Sequence, residues 1–273
     1  MVSGPANDGS PAFSPDGNTI FFTRSTANWG VIVESHKIQG DWSRPMLAPF
    51  SGEWPDSSPA MSPDGSYLVF ESKRPSTPQI SRPKEGQSIS GIVSNLWRVD
   101  RVGSGWSKAT RLSDTVNLAG QSIWKPSIAA DAMIYFVSID KKGGKRLFSS
   151  QHTNAAYQQA QPLPFSDGTR LDVRPEISPD GSFLVFCSAG RLQGDSKDHL
   201  FIVLRKADGW GTVAPIRYAG DDKNGYSTDD EPHLSPDDRT LYFSSDRAVP
   251  AHFPTLARAS ATRFQAPGQF GLV

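Results

Sequence analysis

The chain has 273 residues, a length that suits one large all-β domain or two small ones. Its 28 basic and 28 acidic residues cancel, so the charge favours neither a nucleic acid nor an anionic membrane surface as a partner. No apolar stretch approaches the ~18 residues that span a bilayer, and we expect no membrane insertion. The opening "MVSGPANDGS" shows no feature of a signal peptide, and the single cysteine, Cys187, excludes an internal disulfide framework.

A four-residue turn recurs along the chain. "SPDG" occupies residues 14–17, 62–65 and 178–181, "SPDD" occupies 235–238, and "AADA" at 129–132 stands where a further copy is expected. Ser, Pro and Gly at the first, second and fourth positions are preferred in a type I turn. A β-rich run follows each "SPDG" or "SPDD" turn ("NTIFFTR", "SYLVFES", "SFLVFCS", "RTLYFSS"), which predicts a repeated β-hairpin.

Two further strands are predicted in each unit. The third strands are "VIVESH", "NLWRVD", "KRLFSS", "HLFIVL" and "TLARAS", and the fourth are "GDWSRP", "SGWSKA", "AAYQQA", "DGWGTV" and "TRFQAP". Five such units predict an all-β fold, a single five-bladed β-propeller with four antiparallel strands per blade, because a closed ring buries sheet faces that one sheet leaves exposed. The predicted domain is 1–273, with blades at about 8–55, 56–122, 123–171, 172–228 and 229–273.

The pattern "DxxPxxSPDGxxLxFxSxR" resembles the WD-repeat-like propeller repeat of the TolB type. The resemblance covers essentially the whole chain, although blade 3 departs from the pattern. It implies a propeller fold and leaves the function open, because the family includes translocation partners, peptidase propeller domains, lyases and envelope proteins. It also favours a periplasmic or secreted location, which the residues themselves do not determine.

Residues that recur from blade to blade are interpreted as structural. An Asp precedes the first-strand proline by three residues, and an Arg follows the second strand: Asp8, Asp56, Asp172 and Asp229, with Arg24, Arg74, Arg191 and Arg247. Blade 3 lacks both and has Ile123 in place of the Asp, which is expected if the two form an ion pair. The aromatic residues of the fourth strands are interpreted as blade packing: Trp42, Trp106, Tyr157, Trp210 and Phe264.

The residues on either side of the first-strand proline differ between blades and form the candidate site. Blades 1 to 3 have Ala12, Ala60 and Ser127 after the proline, whereas blades 4 and 5 have Glu176 and His233; the residues before it are Ser10, Ser58, Lys125, Arg174 and Glu231. Positions two apart in a strand share a face, so these groups are expected to meet at the channel mouth. We expect Glu176 and His233 to approach each other there. If the protein is an enzyme, these two residues are the predicted catalytic pair.

The predicted ligand-binding residues are Lys125, Arg174, Glu231, Trp124 and Asp230. The alternative is a salt-bridge network that plugs a narrow channel. Three long segments, 74–95, 189–199 and 219–231, fall on the face opposite the "SPDG" turns and favour that face for function. Segment 219–231 partly matches a calcium loop, but Gly220 stands at the first ligand position, so we expect no metal there and no cofactor elsewhere.

Two functions remain open. The first is a monomeric recognition propeller that binds a protein, peptide or glycan at the long-loop face, around the channel mouth. The second is a hydrolase or lyase on a carbohydrate or similar polar substrate, with Glu176 and His233 as an acid/base pair. No nucleophile elbow, phosphate loop or metal triad is present in the sequence, which favours recognition and leaves enzymatic activity open.

Overall fold

The computed structural model describes residues 7–26, 29–76, 93–217 and 228–246, and the backbone of 261–263. Within these ranges the fold is all-β, as predicted. None of the described residues belongs to a helix that could cross a membrane.

The strands form four blades and a C-terminal sheet. Blade 1 consists of β1 (Asn7–Phe13), β2 (Thr19–Ser25), β3 (Gly30–Ile38), β4 (Asp41–Trp42) and β5 (Met46–Leu47). Blade 2 consists of β6 (Asp56–Met61), β7 (Tyr67–Ser72), β8 (Asn95–Val102), β9 (Gly105–Trp106) and β10 (Thr110–Arg111). Blade 3 consists of β11 (Ser122–Ile128), β12 (Ile134–Ile139), β13 (Lys145–Ser150) and β16 (Gln161–Pro162), with a separate hairpin of β14 (His152–Thr153) and β15 (Ala156–Tyr157).

Blade 4 repeats the arrangement of the first two blades. It consists of β17 (Leu171–Ile177), β18 (Phe183–Ala189), β19 (Asp198–Lys206), β20 (Gly209–Trp210) and β21 (Ala214–Pro215). The C-terminal sheet consists of β22 (Asp229–Leu234), β23 (Thr240–Ser245) and β24 (Ala261–Arg263). All strand pairs are antiparallel, and the strands run in chain order from the channel outwards.

The prediction of five four-stranded blades is wrong. The structure is a four-bladed propeller, and the fifth unit contributes, within the described residues, a three-stranded sheet that lies between blade 4 and blade 1. In that sheet β24 pairs directly with β23, so part of the predicted fourth strand occupies the place of a third strand. The "SPDG" turn marks only the inner hairpin, which all five units share, and says nothing about outer strands. The predicted strand "TLARAS" lies outside the described residues.

The outer strands come later in the chain than predicted. The segments predicted as fourth strands form β4, β9 and β20, which fold back in tight hairpins on the ends of β3, β8 and β19. The outer strand of each sheet is the next two-residue strand, namely β5, β10 or β21. The third strand is long enough for both neighbours: Lys37 of β3 pairs with β4, whereas Val33 pairs with β5.

Every innermost strand has a bulge at its proline. In β1 the pairing with β2 steps from Gly9–Thr23 to Ala12–Phe21, so Ser10 and Pro11 together face one residue. The residue before the proline has a φ of 51° to 53° in each case: Ser10, Ser58, Lys125, Arg174 and Glu231. Non-glycine residues adopt this left-handed region at a cost. Because it recurs in every unit, the strain is a property of the fold and not of one site.

The predicted Asp–Arg pairs are confirmed in blades 1, 2 and 4. The distances are 2.8 Å for Arg24 Nε–Asp8 Oδ1, 3.0 Å for Arg74 Nη2–Asp56 Oδ2 and 2.7 Å for Arg191 Nη2–Asp172 Oδ2. Arg74 and Arg191 also donate to the carbonyl oxygens of Phe50 and Phe165 in the preceding blade, so these pairs join neighbouring blades. Ile123 of blade 3 is fully buried, and Arg247 lies outside the described residues.

Aromatic residues pack one blade against the previous one. Trp106 of blade 2 lies 5.7 Å from the rings of Phe21 and Phe50 in blade 1, and Trp210 of blade 4 lies 5.8 Å from Phe165 in blade 3. The predicted packing role of these tryptophans is therefore confirmed.

Candidate functional site

The candidate site lies in the central channel. The innermost strands β1, β6, β11, β17 and β22 lie side by side in that order, and β22 also lies beside β1, so together they enclose the channel. The prolines at the bulges divide it, because Pro59 and Pro126 line the cavities on both sides. We call the end with the "SPDG" turns the turn end and the opposite end the loop end. The residues before the prolines line the loop end, and the residues after them line the turn end. Glu176 and His233 line both cavities, because they lie where the two meet.

An ion-pair network closes the loop end. Glu231 Oε1 accepts hydrogen bonds from Lys125 Nζ at 2.5 Å and from Arg174 Nε at 2.8 Å. Ser10 Oγ donates to Glu231 Oε2 at 3.1 Å and accepts from Lys125 Nζ at 2.6 Å. Arg174 Nη1 lies 2.9 Å from Asp230 Oδ1. The remaining cavity of about 20 Å³ has room for roughly one water molecule. The charges thus satisfy one another, which is the plugged-channel alternative raised above.

Glu231 is held in its charged form. Burial raises the pKa of this carboxyl, but His233, whose Nε2 lies 3.8 Å from Oε2, and the charge of Lys125 outweigh burial and hold the pKa well below its usual range. Arg174 lies in the same environment: burial lowers its pKa, and the charges of Asp230 and Glu231 more than offset that effect.

Glu176 and His233 approach each other, as predicted. His233 Nδ1 lies 3.9 Å from Glu176 Oε2, and His233 Nε2 lies 3.8 Å from Glu231 Oε2, so the imidazole stands between two carboxylates. The His233 side chain is 17% exposed, so it is reached by solvent and is not a sealed core histidine.

The Glu176 carboxylate is fixed by its neighbours. The Leu234 amide donates to Oε1 at 3.0 Å, and Ser127 Oγ donates to Oε2 at 3.3 Å. Ser127 Oγ also accepts from the Ile177 amide at 3.0 Å, which fixes the hydroxyl in turn. Burial raises the pKa of Glu176, and the charge of His233 and the hydrogen bond from Leu234 lower it by less.

Glu176 and His233 line a cavity of about 160 Å³ at the turn end. The rest of its wall is mainly small and apolar, from the innermost strands and the prolines of the turns: Ala12, Phe13, Ala60, Met61, Ile128, Pro15, Pro63, Pro179 and Pro236. Three serines, Ser62, Ser127 and Ser235, are its further polar members. The sequence favours the opposite, long-loop face for the site. The bulge at each proline places the residue before it toward the loop end and the residue after it toward the turn end.

The other predicted site residues are dispersed around the loop end. Asp230 contacts Arg174, as described above, and lies against Cys187, whose thiol pKa is raised chiefly by burial and further by Asp230. Trp124 packs against Lys145, whose Nζ lies 5.5 Å from the indole ring, and its buried Nε1 donates no hydrogen bond to the described residues. Trp124 therefore does not join the ion-pair network.

Sequence reasoning missed Glu71 of β7. Its counterparts opposite the innermost strands are Thr23, Val137, Cys187 and Ser244, so Glu71 is the acidic member of this set. Ser58 Oγ lies 3.4 Å from Glu71 Oε2; burial raises the pKa of Glu71, although the charge of Lys125 lowers it. Comparing the second strands as well as the first would have identified this position.

Sequence reasoning also missed the consequence of "SPDD". Asp238 has a φ of 58°, where three other turns have glycine with φ of 67° to 72°. Burial, with the charges of Asp180 and Glu176, raises its pKa to about 6. Its Oδ1 is buried and accepts no hydrogen bond from the described residues. The irregular copy of the turn thus adds a carboxylate near Glu176.

The described residues contain no group of three or more side chains suited to hold a metal ion. Most of the partial calcium loop cannot be assigned in this way, because residues 218–227, including Asp222 and Asn224, lie outside the described residues. Its Glu231 is engaged by Lys125 and Arg174. The prediction that the loop binds no calcium remains a prediction.

No family model and no curated protein matches the chain. Among solved structures, it is similar to TolB from Acinetobacter baumannii, with a TM-score of 0.50 and 21% identity over 78% of this chain and 44% of that one. It is also similar to a protein assigned as TolB from Agrobacterium tumefaciens, with a TM-score of 0.59 and 16% identity over 92% of this chain and 74% of that one. The chain thus spans less than half the length of the Acinetobacter protein. At these identities the likeness concerns the fold, and at that level the resemblance to TolB-type propellers is confirmed.

Proposed function

We propose that this chain is a recognition propeller that binds a protein, peptide or glycan ligand at the turn end of its channel. The observation that carries the proposal is the contrast between the two ends. At the loop end the charges satisfy one another around a cavity of about 20 Å³, whereas at the turn end Glu176 and His233 line a cavity of about 160 Å³. A concave site with an apolar wall and a few polar groups is the usual form of a ligand pocket.

The geometry supports binding better than catalysis. Glu176 already accepts hydrogen bonds from the Leu234 amide and Ser127, and its 3.9 Å separation from His233 exceeds hydrogen-bond reach. Ser127 also lines the cavity, but its hydroxyl donates to Glu176 and accepts from the Ile177 amide, and no hydrogen bond joins it to His233 among the described residues. No observation therefore favours the hydrolase or lyase alternative.

The proposal is tested with a phage-displayed library of random dodecapeptides, panned on the immobilised protein. Selected peptides are then measured by isothermal titration calorimetry against Ala12→Leu and Ala60→Leu, which fill the cavity from two different strands. The matched control is Met46→Leu, on the exposed edge of blade 1. Circular dichroism and melting curves establish that each variant is folded. We expect the cavity variants to lose at least tenfold in affinity and the control to bind like the wild type.

Peptides that bind both folded cavity variants as tightly as the wild type would refute binding at the turn end. Failure of this library and of a glycan array to yield any specific ligand would refute the recognition function itself.

A further inference from the structure

The turn-end cavity contains a carboxylate and no permanently charged cation among the described residues that line it. Glu176 and His233 are the ionisable side chains among the described residues that line it, and neither a lysine nor an arginine is in that set. The nearest cations of the channel, Lys125 and Arg174, line the adjoining loop-end cavity, which Glu176 and His233 also reach, but both cations are engaged by Glu231. The Glu176 carboxylate therefore faces the cavity with His233 as its nearest potential counter-ion, at 3.9 Å.

The turns beside the cavity carry further carboxyl groups, because Asp180 follows Pro179 and Asp238 lies two residues after Pro236, and both prolines line the cavity. Asp238 lies close enough to Glu176 and Asp180 for their charges to raise its pKa, and its buried Oδ1 has no hydrogen-bond donor among the described residues. Arg205, at the turn of blade 4, donates to the Gly181 carbonyl oxygen and to the Tyr135 hydroxyl. Arg239 interacts with Asp237. Like charges placed together in a partly buried site are stabilised when a cation binds between them.

The opposite side of the cavity is apolar. Ala12 and Ala60 are buried on β1 and β6, and Phe13 and Met61 follow them along the same strands. Small side chains at these positions leave the cavity open, where the fourth unit and the C-terminal sheet have Glu176 and His233 instead. One wall thus suits a charged head and the facing wall suits a hydrocarbon stem.

We propose that the turn-end cavity binds an organic cation, an alkylammonium or alkylguanidinium group, with its charged head at Glu176 and its stem against Ala12, Ala60 and Met61. This inference rests on the proposed function and names the class of ligand that the cavity takes. A lysine or arginine side chain of a peptide, or a free amine, presents this chemistry. Hydrogen bonds between a cationic donor and a carboxylate are stronger than neutral ones, and apolar walls add to the affinity of the stem.

The test uses four probes with one carbon skeleton: n-butylammonium, n-butylguanidinium, n-butanol and butyrate. Each is titrated into the ¹⁵N-labelled protein while the amide resonances of Ala12, Ala60 and Ser127 are followed. We expect saturable shifts with one or both cations, at least tenfold weaker binding of butanol, and no binding of butyrate. Raising the salt concentration should weaken binding of the cations. This comparison needs no variant, so it does not depend on a substitution that could unfold the protein.

Glu176→Gln keeps the shape of the side chain and removes its charge, and we expect it to weaken cation binding at least tenfold. Glu71→Gln is the matched control, because it changes a buried carboxylate at the loop end, and we expect wild-type cation binding.

Butanol or butyrate binding as tightly as the cations would overturn this inference. The recognition function would still stand if the selected peptides depend on Ala12 and Ala60. If no probe shifts these resonances while such peptides still bind there, the ligand class is wrong and the site is right. If the peptides also fail, both proposals fall.

Discussion

Lys125 and Glu231 meet across the channel, with 2.5 Å between Nζ and Oε1, although 106 positions separate them in the chain. Both are residues before a proline in an innermost strand, with φ of 53°. Since Arg174 binds the same carboxylate oxygen, Glu231 is the negative charge that two cations share. The contact joins blade 3 to the C-terminal sheet across the axis, and it closes the loop end of the channel.

We predict that Glu231→Gln destabilises the protein by about 2–4 kcal/mol, because Lys125 and Arg174 are left as partly buried cations that lack their shared partner. Urea denaturation followed by tryptophan fluorescence measures the change. Asp114→Asn is the control: its partner is Arg111, but its side chain is 85% exposed, so a loss below about 1 kcal/mol is expected. Equal losses in the two variants would contradict the assigned role of Glu231.

The contribution of Glu231 should depend on pH. Its pKa is lowered in the folded protein from an ordinary value of 4.5, so its stabilising effect is fully present above pH 4.5 and is lost as the pH falls below that value. The stability difference between the wild type and Glu231→Gln should therefore shrink as the pH falls below about 4.5. Denaturation curves at a series of pH values measure it. A difference that grows on acidification would show that the pKa of Glu231 is not lowered.

Arg74→Met should cost about 3–5 kcal/mol, because it leaves the fully buried carboxylate of Asp56 without its cation. Blade 3 shows which residue can replace the aspartate, since it has a buried Ile123 at that position. The double change Asp56→Ile with Arg74→Met should recover most of the loss. Thermal unfolding of the single and double variants measures both effects. Arg170→Met, at an exposed pair, is the control with little expected change. A double variant as unstable as the single one would indicate that the pair contributes more than charge neutralisation.

Asp238→Gly should stabilise the protein at neutral pH, by about 1 kcal/mol from removal of the left-handed strain alone. Removal of the Asp238 charge should add a further gain in stability that depends on pH. Because the pKa of Asp238 is raised to about 6 in the fold, the folded state binds its proton more tightly than the unfolded state, and wild-type stability falls as the pH rises toward and through 6. The advantage of the glycine variant should grow over the same range. Asp238→Asn separates the two effects, since asparagine tolerates the left-handed conformation and carries no charge. An advantage that does not change with pH would show that the charge of Asp238 is not involved.

The sequence by itself determined the repeated hairpins, because their turns use local chemistry: proline presets one φ, and glycine accepts a positive φ. It also determined the structural pairs, since Asp and Arg recur together and are lost together where Ile123 stands. The approach of Glu176 and His233 followed from their equivalent positions in neighbouring units.

Only the tertiary structure decided the number of complete blades and the end of the channel at which the cavity opens. Outer strands such as β5 and β10 are two residues long and form where a neighbouring strand offers unpaired backbone groups, so pairing and not local propensity creates them. The bulge at each proline splits residues two apart into separate levels, which the regular alternation of a strand does not predict. Glu71 lies near Lys125 because β7 lies beside β11, a contact between blades that no local pattern in the sequence records.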